Sequence, residues 1–212
     1  MSVIDRLSSS LGRRDEVPNK ELAAELSETR DKAAIAELVR NLQNKEKKVQ
    51  SDCIKVLYEI GEQAPDLISD YCQDFGALLG QKNNRLVWGG MTALNTIVFE
   101  NPEGVYDLLP AMMEAIESGS VIARDNGIEV LAKLSSVNEI HGGITFAILI
   151  DQLEECPIKQ LPQYAEKALV AVRPQNGIEF REVLKRRYGD LEKDSRRKRI
   201  DRVLKHVESL IN

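Results

Sequence analysis

Apolar residues return along this chain with two superposed rhythms. The shorter one is helical: Ile35, Leu38 and Leu42 are spaced to share one face of an α-helix. The longer one is a step of 37 residues, which carries Leu38 to Phe75, Met112 and Leu149. Leu42, Leu79, Ile116 and Leu153 keep that step, as do Ile35, Cys72, Leu109 and Phe146. These series predict the buried face of a first helix, A, recurring four times. A second group, keeping the same step, predicts a following helix B: Ile54, Met91, Ile128; Val56, Ala93, Val130; Leu57, Leu94, Leu131; and Ile60, Ile97, Leu134. Beyond it the register slips by about one residue, so that Ala168, Leu169 and Val172 continue the pattern, then Val203, Leu204 and Val207.

Punctuation falls where the rhythm requires it. Pro65 and Pro102 stand where an A helix should begin, and proline suits a first helical turn because its missing N–H would be unpaired there. Pro162 opens the fourth B helix in the same way. Polar turns at Gln43–Lys47, Gln81–Asn84 and Ser118–Ser120 separate A from B, and no alternating strand pattern competes. The expected organisation is an N-terminal arm over residues 1–18, with Val3, Ile4 and Leu7 as one amphipathic turn against the first repeat. A single repeat domain over 19–212 follows, with a capping helix at Asn19–Arg30 and repeats at about 31–64, 65–101, 102–138, 139–176 and 177–212.

A 37-residue helix pair whose second helix carries an apolar residue then Arg or Lys, a small residue, and an Ala/Val-Leu pair resembles the HEAT repeat family. Ala123-Arg124, Gly127 and Val130-Leu131 show it most fully; Val49-Gln50 with Cys53 and Leu86-Val87 with Gly90 are its counterparts. The resemblance covers about residues 31–210. It implies an all-α, right-handed α–α superhelix of the HEAT/armadillo kind with about five helix pairs, whose B helices line a concave surface where such proteins bind partners.

Composition narrows the class. Of 212 residues, 42% are hydrophobic and 30% charged, with 5% aromatic, a helix-favouring blend. The three cysteines, Cys53, Cys72 and Cys156, have no CxxC spacing and read as reduced core residues of a cytoplasmic protein. Neither a secretory leader nor a membrane-spanning run is indicated. Net charge is −5, yet Arg181–His206 holds eleven Lys or Arg against five Asp or Glu. Its clusters, Lys185-Arg186-Arg187 and Arg196-Arg197-Lys198-Arg199, suit an anionic contact. They equally suit a solvated helix with i, i+4 pairs such as Asp194/Lys198 and Arg197/Asp201.

Candidate contact residues lie at the non-core positions of B. In the second repeat these are Arg85, Trp88, Gly89, Thr92 and Asn95; in the first, Lys48, Ser51, Asp52 and Lys55; in the third, Arg124, Asp125, Asn126 and Glu129. Trp88, the one tryptophan, reads either as a binding hot spot or as an indole folded onto a neighbouring helix. Gly90 and Gly127 read as close-packing positions, while Gly89 is expected on the concave side. Trp88, Arg124 and Asp125 also invite comparison with HEAT-like alkylpurine DNA glycosylases, but Thr92 stands one turn after Trp88 where that chemistry wants an acid. The acidic body is a further handicap for duplex binding. His141 and His206 are the only histidines and lie far apart, and neither GxSxG, a P-loop nor GxGxxG occurs. The expectation is a non-catalytic scaffold without metal or cofactor, binding a protein partner through Arg85, Trp88, Gly89, Thr92, Arg124 and Asp125, with nucleic acid as the alternative ligand.

Overall fold

A computed structural model describes residues 2–137 and 139–211. Met1, Asn138 and Asn212, which bound the expected arm and repeats, lie outside the described residues. Twelve α-helices and no strand are present among those described. The chain divides into two compact bodies, Met1–Gly127 and Ile128–Asn212.

In the first body, α1 (Val17–Thr29) is followed by α2 (Lys32–Arg40) and α3 (Lys47–Gln63), then α4 (Cys72–Gly76) and α5 (Asn84–Ile97). Next come α6 (Pro102–Asp107), α7 (Leu109–Ser118) and α8 (Val121–Val137), within which the division falls. B packs on B here: α3 lies between α1 and α5. Leu38, Phe75 and Met112 are all buried on successive A helices, and Ile54, Val56, Leu57 and Ile60 with their counterparts one step later are buried on B. Each such side chain contributes about 1.5–3 kcal/mol by leaving water.

The A element of the second and third repeats is broken rather than continuous. Two 3-10 turns, Pro65–Leu67 and Ser69–Tyr71, precede α4. Likewise α6 ends at Leu108 (φ −88°, ψ 3°), ahead of Leu109-Pro110, where a fresh helix begins. Proline at the second place of α7 has no N–H to continue α6, so the chain restarts.

The N-terminal segment is seated on the first repeat. Val3 is 5% exposed and Leu7 fully buried. Ser8 N donates to Asn19 Oδ1, Ser9 N to Asp52 Oδ2 and Asn19 Nδ2 to Asp52 Oδ1, each within 2.8–2.9 Å. The amphipathic turn drives this: two apolar side chains find a surface, and Asn19 and Asp52 satisfy the backbone that must follow them in.

In the second body, α9 (Glu139–Glu155), α10 (Leu161–Ala168), α11 (Gly177–Tyr188) and α12 (Asp194–Ile211) follow the end of α8. Here α10 packs on α12 and α9 on α11. Leu149 and Leu153 are fully buried, as are Ala168 and Val207, whereas Leu169 and Leu204 are only half-buried where the register slips. His141 lies buried in the first turn of α9.

Candidate partner-binding face

Asn83 caps α5, its Oδ1 accepting from Arg85 N at 3.1 Å. From that start, residues 85, 88 and 92 share the side of α5 turned away from its buried Leu94, while Asn95, one turn on, is buried. Trp88 is half-buried. Its ring stands 5.9 Å from that of Tyr58 on α3, tilted by 52°, and the Arg85 guanidinium lies 5.8 Å from its centroid. Lys55 Nζ lies 4.7 Å from the Tyr58 ring. Such edge-tilted pairs and cation contacts add roughly 0.5–1 kcal/mol each.

A single carboxylate ties the two cations together. Glu16, immediately before α1, accepts from Arg85 Nη2 at 2.6 Å and faces Lys55 Nζ at 3.2 Å, while Lys55 also pairs with Glu59 one turn along α3. Burial draws the Lys55 ammonium down, but Glu59, Tyr58 and Glu16 outweigh it and hold its pKa above the ordinary value. Burial likewise pushes the Glu16 carboxyl up, yet Lys55 and Arg85 prevail and leave it below the usual 4.5. Burial keeps the Tyr58 phenol raised against the pull of Lys55. The face is therefore two mutually tilted rings flanked by Lys55, Arg85 and Glu16.

Of the expected contact residues, Arg85, Trp88 and Thr92 stand together. The Thr92 hydroxyl donates to Trp88 O at 2.8 Å, turned to its own helix. Gly89 is not a surface position: it is buried, and a Cβ there would stand 2.8 Å from Ile54 Cγ1, so glycine is what lets α3 and α5 approach. Arg124 is also elsewhere. Its Nε and Nη2 donate to Ile116 O (3.0 Å) and Glu117 O (3.4 Å), capping the end of α7, where a cation is favoured. The arginine of the glycosylase comparison is thus engaged in holding a helix end. Asp125 is half-buried on α8, and its neighbour Asn126 accepts from Asn95 Nδ2 at 3.1 Å. Gly90 and Gly127 are close-packing positions, against Phe75 O and Ile116 respectively.

Lys55, expected to face solvent, is 6% exposed, covered by Glu16 and the aromatic pair. Tyr58 was legible in principle, since it stands 37 residues before Asn95 in the B register. Glu16 carried no such signal, because its approach depends on the path of the N-terminal segment.

The basic end of the second body is largely engaged internally. Arg186 pairs with Glu154 (2.6 Å) and Arg199 with Glu166 (2.6 Å). Arg187 donates to Leu153 O (3.0 Å) and Cys156 O (2.7 Å) at the end of α9, and Arg197 to Leu191 O (2.6 Å). The expected i, i+4 pairs Asp194/Lys198 and Arg197/Asp201 do not form among the described residues, and Arg197 turns instead to the Leu191 carbonyl just ahead of α12. Lys185 and Lys198 remain exposed, and Arg196 half-buried.

Among the described residues, no group of three or more His, Cys, Asp or Glu stands together as a metal ion would need, and no helix is long and apolar enough to cross a membrane. All three cysteines are buried and free, and burial pushes the Cys53 thiol up to about 12.

Neither a family model nor a curated protein matches the chain. Solved structures do. The chain is similar to an engineered protein (19% identity, TM-score 0.66, covering 99% of this chain and 100% of that one). It is also similar to a designed armadillo repeat protein in complex with peptide (KR)4 (13% identity, TM-score 0.66, 91% and 87%). A third match is the karyopherin Kap121p bound to the SUMO protease Ulp1p (11% identity, TM-score 0.67, 99% and 23%). At such identities the likeness establishes the fold: an all-α armadillo/HEAT-like helical solenoid.

Proposed function

We propose that this protein is a non-catalytic interaction scaffold that binds an extended segment of a protein partner on the α3/α5 face around Trp88. The observation that carries the reading is the half-buried Trp88 ring held between Arg85 and Tyr58. An aromatic already fixed by its neighbours loses little conformational entropy on binding, and such anchors dominate interface energies. The fold supports the same reading, since two structurally similar proteins were solved with a bound peptide or protein. A cytoplasmic setting accords with three free, buried thiols.

The test is a peptide-display selection against the wild-type protein, followed by calorimetry on the selected peptides. Trp88→Ala is expected to weaken binding by about 2 kcal/mol, roughly thirtyfold, while the solvent-facing control Lys198→Ala changes it little. Equal affinity of the wild type and Trp88→Ala for every selected peptide would remove this face as the site.

A further inference from the structure

A second feature of the first body lies beside that face and shares Arg85 and Glu16 with it. The segment Ser8–Glu16 roofs a cleft of about 820 Å³ over the start of α3, with Arg13, Arg14, Lys47, Lys48 and Arg85 in its walls. A neighbouring cleft of about 670 Å³, which shares Lys47, adds Lys45 and Lys82 and has no carboxylate in its lining.

The acids of the first cleft are already committed. Asp15 accepts from Arg13 at 3.0 Å, Glu16 is taken by Lys55 and Arg85, and Asp52 accepts from Ser9 N and Asn19 Nδ2. Arg14, Lys47 and Lys48 are exposed, and none of them forms an ion pair among the described residues. Lys47 and Lys48 are moreover the first two residues of α3, a helix of 17 residues with no acid in its first turn and no side-chain cap from the exposed Glu46. Two cations at the positive end of a helix oppose its macrodipole. The arrangement is unfavourable for the helix alone and favourable for an anion bound there.

Donors point the same way. Ser8, 3% exposed, contributes to the cleft wall a hydroxyl that has no partner among the described residues, and the Ser9 hydroxyl and Arg85 Nε are likewise buried and unpartnered there. Hydroxyls, a guanidinium, ammonium groups and uncapped helix N–H groups together make the lining of one cleft donor-rich. A phosphoryl dianion, with three oxygens that each accept hydrogen bonds, matches such a set better than a single carboxylate.

We infer that the cleft between Ser8–Glu16 and the N-terminal end of α3 is a phosphoryl-binding site, with Lys47, Lys48 and Arg14 as its charge and Ser8 as a buried donor. The phosphoryl group is carried by a phosphorylated side chain of a partner or is free inorganic phosphate. The site stands whether or not Trp88 binds a partner.

Titration calorimetry at low ionic strength tests it, using inorganic phosphate, a short phosphoserine peptide, and the same peptide with Glu in place of phosphoserine. The wild type is expected to bind at least one phosphorylated probe saturably. Tighter binding of the phosphopeptide than of phosphate identifies a partner side chain as the source, and the reverse identifies the free ion. Lys47→Glu/Lys48→Glu is expected to lose more than tenfold in affinity. It should melt at the same temperature or higher, because acids in a first turn suit the helix dipole, so lost binding does not reflect lost folding. Trp88→Ala should bind the phosphorylated probes as the wild type does. Absence of saturable binding of both phosphorylated probes, unchanged affinity in the lysine variant, or equal binding of the Glu peptide would each overturn the assignment.

Discussion

The two cationic regions of this protein look alike in charge and differ in what their charges do. In the second body, Arg186, Arg187, Arg197 and Arg199 come from one basic stretch, and all four reach carboxylates or carbonyls. Three of them reach across 31–34 residues, close to one repeat. In the first body, Arg14 comes from the N-terminal segment and Lys47 and Lys48 from the start of α3, and none of them has a counter-ion among the described residues. A run of like charge therefore says little about availability. What matters is whether the adjacent repeat offers acceptors at the same height, as it does for Arg30 with Asp66 and Lys167 with Glu129.

The sharpest way to break this contrast is Arg187→Ala. Its side chain is mostly buried, and its loss strands the α9 carbonyls it serves. Stability in urea is expected to fall by about 2 kcal/mol, in the range for hydrogen bonds to charged groups. Arg199→Ala removes a more exposed pair with Glu166 and should cost at most about 1 kcal/mol in the same assay. Lys48→Ala is expected to stay within about 0.5 kcal/mol of the wild type. If it instead destabilises as much as Arg187→Ala, the first-body cations are structural and the contrast fails.

A pH titration sharpens the boundary between the cleft and the aromatic face. The Glu16 carboxyl is depressed in the folded state, so its contribution is fully present above the usual 4.5 and is lost as pH falls through the lower folded value. Protonation releases Arg85 and Lys55 beside the rings. Trp88 fluorescence is expected to show a step below pH 4.5 that Glu16→Gln abolishes. The smallest effect concerns the cysteines: a thiol-specific reagent at neutral pH should leave native Cys53 unmodified and label it on unfolding, as its burial and raised pKa require.

Sequence periodicity carried far at the level of the fold. Leu38, Phe75, Met112 and Leu149 could be found by subtraction because an apolar side chain on a recurring helix must face the same core each time, and all four are buried. The broken A elements were less legible. Pro65 and Pro102 were read as starts, but the second break, at Leu108, depends on how Pro110 is accommodated against packed neighbours.

At the candidate face, the residue types on the polar side of a helix were visible, and their partners were not. Trp88 and Arg85 were found, yet Gly89 and Arg124 were assigned outward when one admits Ile54 and the other closes α7. Periodicity is a statement about one helix and its core. It has no bearing on how closely two B helices approach or on which carbonyls end near a long side chain.

By itself, then, the order of apolar and polar residues determined an all-α repeat with a 37-residue step and the core positions along it. Only the tertiary structure decided that Glu16 reaches the α3/α5 face and joins Lys55 to Arg85, and which cations are left over. Burial of apolar groups is local to a pattern and readable one helix at a time. Pairing of charges is set by distances between segments far apart in the chain, and those exist only once the chain has folded.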